Sequence, residues 1–334
     1  MRLLIIGNRG GTNIGECFER AAFGAQVEVK LVEAQLAMNA PSWLRRFNWH
    51  CRGHRPTLLA EFGTTVLDLA TEFKPNLVLA SGLAPLDRDC LKALKSGDVL
   101  TANYLTDDPW NPAHRATWFL RALPEYRAVF SPRRSNLRDL VAAGCRRATY
   151  LPFAYDPAIH FSEGSDDIRT AEDQVIFVGG ADEDRAPYCR ALLEAGLRLA
   201  IYGDYWDRFP LLKRCWRGYA DPETARKISG RAQVCLCLPR RANRDGHTMR
   251  SFEAAAMGGC VLAEETPEHR AIFGGNGEAV IYFRSIQEMQ SRATWLAAQP
   301  AERCRLARAA RDRITQGAHT YADRLQTILQ DLAV

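Results

Sequence analysis
The chain has 334 residues, a formal net charge of +5, 47% hydrophobic and 25% charged residues. That length accommodates two α/β domains with separate cores, and the composition excludes a disordered chain. The charge is too low and too scattered for a dedicated nucleic-acid binder, although Arg240, Arg241 and Arg244 form a local cluster.

In chain order, a buried strand is predicted over 3–6, then a glycine-bearing turn (Gly7, Gly10, Gly11, Thr12) and a helix over 14–23. The opening apolar run is too short for a signal peptide, and no stretch approaches the roughly 20 apolar residues of a spanning helix. A cytoplasmic protein is therefore expected, with any membrane contact peripheral at the inner face. A second strand follows over 27–32. Residues 41–56 then combine Trp43, Phe47 and Trp49 with Arg45, Arg46, Arg52 and Arg55 and contain no acidic residue. Such a mixture suits a membrane interface or a polyanionic acceptor; the plainer alternative makes the aromatics core residues beneath a solvated basic face.

A helix over 58–73, strands over 77–80 and 99–105, a strand over 128–131, a helix over 136–143 and a strand over 149–152 continue the alternation. Residues 160–173 are polar and acidic, as a linker is. Beyond them strands are predicted over 175–178, 199–202, 234–238 and 261–263, with helices between and a helical end from 285. The expected organisation is a first Rossmann-like domain over 1–158, a linker over 159–173 and a second Rossmann-like domain over 174–316. A C-terminal helix over 317–334 is expected to pack back on the first domain. Two such domains in series place a ligand cleft between them. The ten cysteines include no CxxC pair, which points to buried thiols rather than a zinc site or disulfides.

The most informative segment runs from Arg240 to Leu262, where a strand leads through a polar loop into a helix expected to begin near Gly246 or His247. Met249, Phe252 and Ala256 share the face toward the sheet, while Arg250 and Glu253 lie three apart on another face near the amino end. Helix-start N–H groups and an arginine fork suit phosphate oxygens, and a carboxylate one turn on suits ribose hydroxyls. The alternative is a plain surface pair between Arg250 and Glu253.

This segment resembles the donor-binding motif of retaining-type GT-B glycosyltransferases: an acidic residue, seven residues, then a glutamate opening an Ala-rich helix that ends in glycine. The Arg-x-Phe-Glu form at 250–253 is most similar to spore-maturation-protein (CgeB-type) glycosyltransferases. Weaker pieces in the same order are Gly82, Asp107-Asp108-Pro109, Leu151 to Asp156, Phe177 to Gly180 with Arg185, Tyr202 to Trp206, and His319 to Arg324. The resemblance implies an α/β GT-B fold, two Rossmann-like domains facing across a cleft, and transfer of a sugar from a nucleotide-sugar donor to a glycan, lipid-linked or protein acceptor. Glu253 would hold the ribose, and Arg250 with the helix start the diphosphate. Asp245 takes the first acidic position, one methylene shorter than the usual glutamate, and is a candidate catalytic residue.

Residue types add further candidates. Arg185 is placed to supply a second cation, Tyr202 to border the base, and His247 to meet the diphosphate or sugar. Their ordinary alternatives are a surface arginine, core packing and a polar cap. Gly10 and Gly11 permit close backbone approach to a donor, but the spacing is not GxGxxG. Asp107 and His114 follow a strand end, where an acceptor hydroxyl would lose its proton. Adjacent Asp107 and Asp108 point apart in an extended chain, so no metal or other cofactor is expected. Two other functions fit the same features: a nucleotide-sugar epimerase, and a scaffold that kept the fold without turnover.

Overall fold
The alternation resolves into two wholly parallel sheets, in a computed structural model that describes residues 1–10, 13–164 and 173–334. The chain divides into two compact units. Unit 1 comprises Met1–Pro152, Ala242–Arg244 and Tyr321–Val334, and unit 2 comprises Phe153–Arg241 and Asp245–Thr320. Unit 1 thus ends its first stretch short of 158 and takes residues from later in the chain. Gly11 and most of the expected linker (165–172) lie outside the described residues.

Unit 1 begins with β1 (Arg2–Gly7), α1 (Ile14–Gly24) and β2 (Glu28–Glu33), then α2 (Ser42–Cys51) and α3 (Leu59–Phe73). It continues through β3 (Leu77–Ser81), α4 (Arg88–Ser96), β4 (Leu100–Tyr104), α5 (Thr117–Ala122), β5 (Ala128–Ser131), α6 (Ser135–Ala142) and β6 (Ala148–Tyr150). The sheet order is β2-β1-β3-β4-β5-β6. Strands such as Leu3–Ile6 and Leu77–Ala80 are apolar at every position because helices cover both faces. The glycine turn has a packing reason. A Cβ on Gly7 would meet the Gly15 Cα at 2.9 Å, so α1 approaches the end of β1 only across two glycines.

Unit 2 repeats the pattern with β7 (Val175–Val178), α7 (Ala186–Glu194), β8 (Leu199–Tyr202), α8 (Pro210–Lys213), α9 (Pro222–Arg231) and β9 (Val234–Cys237). After these come α10 (Met249–Ala256), β10 (Val261–Glu264), α11 (Pro267–Phe273), β11 (Ile281–Phe283), α12 (Ile286–Ala297) and α13 (Pro300–Gln316). Its sheet order is β11-β10-β9-β7-β8, over a core that includes Phe177, Trp206, Leu236, Leu262 and Phe283. The last helix, α14 (Tyr321–Leu332), belongs to unit 1, where Tyr321 meets the Phe18 ring edge-on at 5.5 Å and Arg324 Nε donates to the Pro152 carbonyl at 2.8 Å.

All ten cysteines are free and eight are buried, and among the described residues no group of His, Cys, Asp and Glu is arranged to hold a metal. No helix among the described residues is long and apolar enough to cross a membrane.

Candidate functional site
The geometry of unit 2 is set by its strand order. β7 pairs with β8 on one side and β9 on the other, so the chain reverses its course across the sheet at β7. In a parallel sheet that reversal opens a crevice at the carboxyl ends of the two strands. β7 runs out into Gly179 and Gly180. Opposite them Gly203 ends β8 with φ +126°, and a Cβ there would lie 2.5 Å from the Gly179 carbonyl oxygen. The strand ends can close together because residue 203 is glycine.

Four charges gather at this end. Arg185, buried at the start of α7, donates through Nε to Asp182 Oδ2 at 2.8 Å and through Nη2 to the Gly180 carbonyl. Its face lies over the Phe177 ring at 5.6 Å. Burial lowers the Arg185 pKa and Arg240 lowers it further, while Asp182 and Asp245 oppose both. Arg240 follows β9, with its Nε 3.7 Å from Asp182, and its backbone N–H donates to Asp245 Oδ2 at 3.2 Å. Asp245 in turn donates its N–H to the Arg240 carbonyl at 3.2 Å, closing a tight loop before α10. The structure therefore brings Arg185 and Asp245 into one cluster, and adds Asp182 and Arg240.

The loop delivers the chain to α10, which begins at Met249 rather than near Gly246. Thr248 is its cap: its side chain and that of Ser251 form a reciprocal capping box with each other's backbone N–H groups. Ser251 is itself braced. His269 Nδ1 lies 2.7 Å from the Glu264 carbonyl and so must donate to it, leaving Nε2, 2.8 Å from Ser251 Oγ, to accept the hydroxyl proton. His269 is completely buried, which pushes its pKa down to about 4; the Glu264 carbonyl works against the shift.

Arg250 and Glu253 do pair, as their spacing allows, but the pair is not a surface one. Glu253 is buried, and its Oε2 accepts from Arg250 Nη1 while Oε1 lies 3.6 Å from His160 Nε2. His160 accepts the Asp156 N–H at Nδ1 (3.1 Å), so its Nε2 carries the proton and faces the carboxylate. Both carboxylate oxygens of Glu253 are thus faced by side chains, Oε2 by Arg250 and Oε1 by His160. Arg250, with its side chain 23% exposed, is the part of this triad open to a ligand.

The other candidates are placed differently. The His247 ring is buried, accepts the Phe153 N–H at Nε2 (3.1 Å) and meets Phe153 and Phe252 edge-on. Tyr202 packs with Val178 against Ala220, Ala225 and Met257, and burial raises its pKa. Gly10, in unit 1, has φ +87°, and its N–H donates to Glu16 Oε2 at 2.6 Å. Asp107, also in unit 1, accepts from Asn243 Nδ2 at 3.0 Å and from Thr106 Oγ1 at 3.2 Å. His114 lies further along the same loop, its N–H donating to the Asn111 carbonyl. Asp108 is buried, accepts the Trp110 N–H and receives a two-pronged bond from Arg244 at 2.5 and 3.0 Å, which raises the arginine's pKa.

Sequence reasoning missed His160, Asp182, Arg240, Ser251 and His269. His160 sits at the start of the segment expected to be a linker, yet it is buried. Ser251 lies three residues after Thr248, a spacing that hints at the capping box. No local pattern marks the remaining three.

Comparison with known proteins places this geometry. Residues 185–330 match the model of a family described as glycosyl transferase-like. No curated protein matches the sequence. Solved structures align over nearly the whole chain. Sucrose-phosphate synthase from Thermosynechococcus elongatus superposes with TM-score 0.73 at 14% identity, over 99% of each chain. Anabaena HepE, in complex with UDP and glucose, gives 0.64 at 12% identity over 100% of this chain and 99% of that one. A Listeria monocytogenes protein proposed to be a UDP-N-acetylglucosamine 2-epimerase gives 0.56 at 12% identity, over 98% and 94%. With two parallel α/β units in series and these likenesses across its length, the chain has the GT-B fold.

Proposed function
We propose that the protein is a glycosyltransferase whose unit 2 holds a nucleotide-sugar donor and which passes the sugar to a hydroxyl of a glycan, lipid-linked or protein acceptor. One observation carries this reading: the stretch matching the glycosyl transferase-like family, 185–330, contains Arg185, Arg240, Asp245, Arg250 and Glu253 of the site. The residues there suit the chemistry. As the bond from the anomeric carbon to the donor phosphate breaks, negative charge builds on the departing diphosphate. Arg250, Arg240 and the first-turn N–H groups of α10 are fixed positive charges and dipoles that stabilise it. Glu253 orients Arg250, and accepts a ribose hydroxyl where Arg250 turns aside.

The Arg-x-Phe-Glu form at 250–253 favours the CgeB-type branch as the proposed assignment. Asp107 or His114 is the proposed base for the acceptor proton, and the cations of unit 2 replace a divalent ion, so transfer is metal-independent. UDP is the first nucleotide to test, since HepE was solved with it.

Titration calorimetry with UDP, GDP, CDP, dTDP and ADP tests the reading. One diphosphate should bind, and Arg250→Ala should weaken it roughly 10- to 150-fold, the worth of a charge-assisted contact of about 1.5–3 kcal/mol. Failure of every nucleotide to bind would overturn the proposal. A second reading, nucleotide-sugar epimerisation, draws on the likeness to the Listeria protein. Incubation with donor alone separates them, because an epimerase converts the sugar and a transferase only hydrolyses it slowly.

A further inference from the structure
α2 is folded with its apolar residues on the wrong side for a core helix. Its one fully buried side chain is polar, Asn48, which donates to Thr57 Oγ1 at 3.2 Å, and half-buried Leu44 lies one turn away on the same face. Trp43 and Phe47, spaced i, i+4, point to solvent with 69% and 49% of their surface exposed. Arg46 and His50 continue that outward face, and Trp49, stacked on His54 at 4.2 Å, is also exposed. These aromatics are therefore not core residues. Together with Leu36 they make four of the thirteen exposed large hydrophobics among the described residues, all within residues 36–49.

The charge around them has one sign. Residues 34–60 contain no aspartate or glutamate, and they carry Arg45, Arg46, Arg52 and Arg55. None of the four arginines is in an ion pair within the described part of unit 1. Two outward aromatics one turn apart, flanked by unpaired arginines on an acid-free stretch, fit a surface with an apolar interior and an anionic skin. We propose that α2 docks the protein on the face of an anionic lipid bilayer, with Trp43 and Phe47 entering the headgroup boundary and Arg45 and Arg46 meeting lipid phosphates. This inference stands independently of the proposed sugar transfer.

Flotation of the full chain with phosphatidylcholine vesicles, with and without 30 mol% phosphatidylglycerol, tests it; that composition is chosen as about a third of the lipid, a moderately anionic surface. The wild type should float with the anionic vesicles, and Arg45→Glu/Arg46→Glu should lose at least about tenfold in partitioning, since each arginine near such a surface contributes about a factor of five. Trp43→Ser/Phe47→Ser should lose binding as well. Both double variants alter exposed side chains only, so unchanged circular dichroism and melting are expected to show that folding is intact. Quenching of tryptophan fluorescence by brominated lipid should fall in Trp43→Phe, which retains binding. Equal recovery with neutral and anionic vesicles would overturn the proposal. So would a concentration-dependent dimer that dissociates in Trp43→Ser/Phe47→Ser, because the face would then belong to a second copy.

Discussion

His269 makes the α10 site sensitive to acid. The unfolded chain takes up this proton near pH 6.5, whereas the folded protein resists it until about pH 4, because a charged imidazole would be stranded without water. The folded-state pKa is depressed for a base, so the stabilising contribution is complete above pH 6.5, falls as pH drops from 6.5 toward 4, and changes no further below that. Over the whole window the loss is about 3 kcal/mol, and about 2 kcal/mol of it has gone by pH 5. Urea denaturation at pH 7.5 and pH 5 on wild type and His269→Gln isolates the effect, since every other titrating group is common to both. The wild type should lose about 2 kcal/mol more than the variant between these pH values. Equal losses would refute the argument, as would a His269 ring resonance, identified by its absence in the variant, that titrates near 6.5. Nucleotide affinity, a property of the folded state, should hold to pH 5 and decline only as pH approaches 4, where a protonated Nε2 can no longer accept from Ser251 and the capping box loses its brace.

Other outcomes follow from the same contacts. Glu253→Gln should weaken diphosphate binding by about tenfold by releasing Arg250, read by calorimetry with circular dichroism as the check on folding. Transfer activity, measured with the donor that calorimetry identifies, should survive EDTA; loss on chelation with recovery on adding magnesium or manganese would reverse the metal-independent proposal. Arg244→Ala should destabilise unit 1 by about 1–3 kcal/mol in urea denaturation, because buried Asp108 keeps only the Trp110 N–H, the partial exposure of Arg244 holding the cost below that of a fully buried pair.

What was legible in the sequence was what local pattern controls. Apolar runs flanked by glycine located the strands: residues 99–105 were expected and Leu100–Tyr104 observed, and the helix expected over 58–73 is Leu59–Phe73. Two successive parallel α/β domains were visible in the order of such elements, and the GT-B fold was implied by the resemblance of the 240–262 segment. The start of α10 was placed two or three residues early because Gly246 and His247 look like a helix opening, whereas Thr248 and Ser251 supply the cap. The site's surroundings were less legible because they are contacts between distant parts of the chain. His160 reaches Glu253, His269 reaches Ser251 and Arg240 reaches Asp182, and no spacing rule links such pairs. In α2 the composition was visible but its orientation was not: aromatic and basic residues at these spacings serve a core or a surface equally, and it is the exposure of Trp43, Phe47 and Trp49, with Asn48 buried, that removes the core reading.

Unit 1 also has an order of manufacture. Its sheet is complete by Tyr150, but the helix that covers Phe18 begins only at Tyr321. About 170 residues separate Pro152 from that helix, so a ribosome adding roughly 5–20 residues per second leaves the unit unfinished for about 10–30 s. Throughout that interval the Phe18 side of α1 lacks its cover, and the Pro152 carbonyl lacks its arginine. α1 is therefore made long before α14, the helix that seals it. A nascent-chain chaperone would find its binding surface along α1, and a stop codon just before Tyr321 would make that exposure permanent.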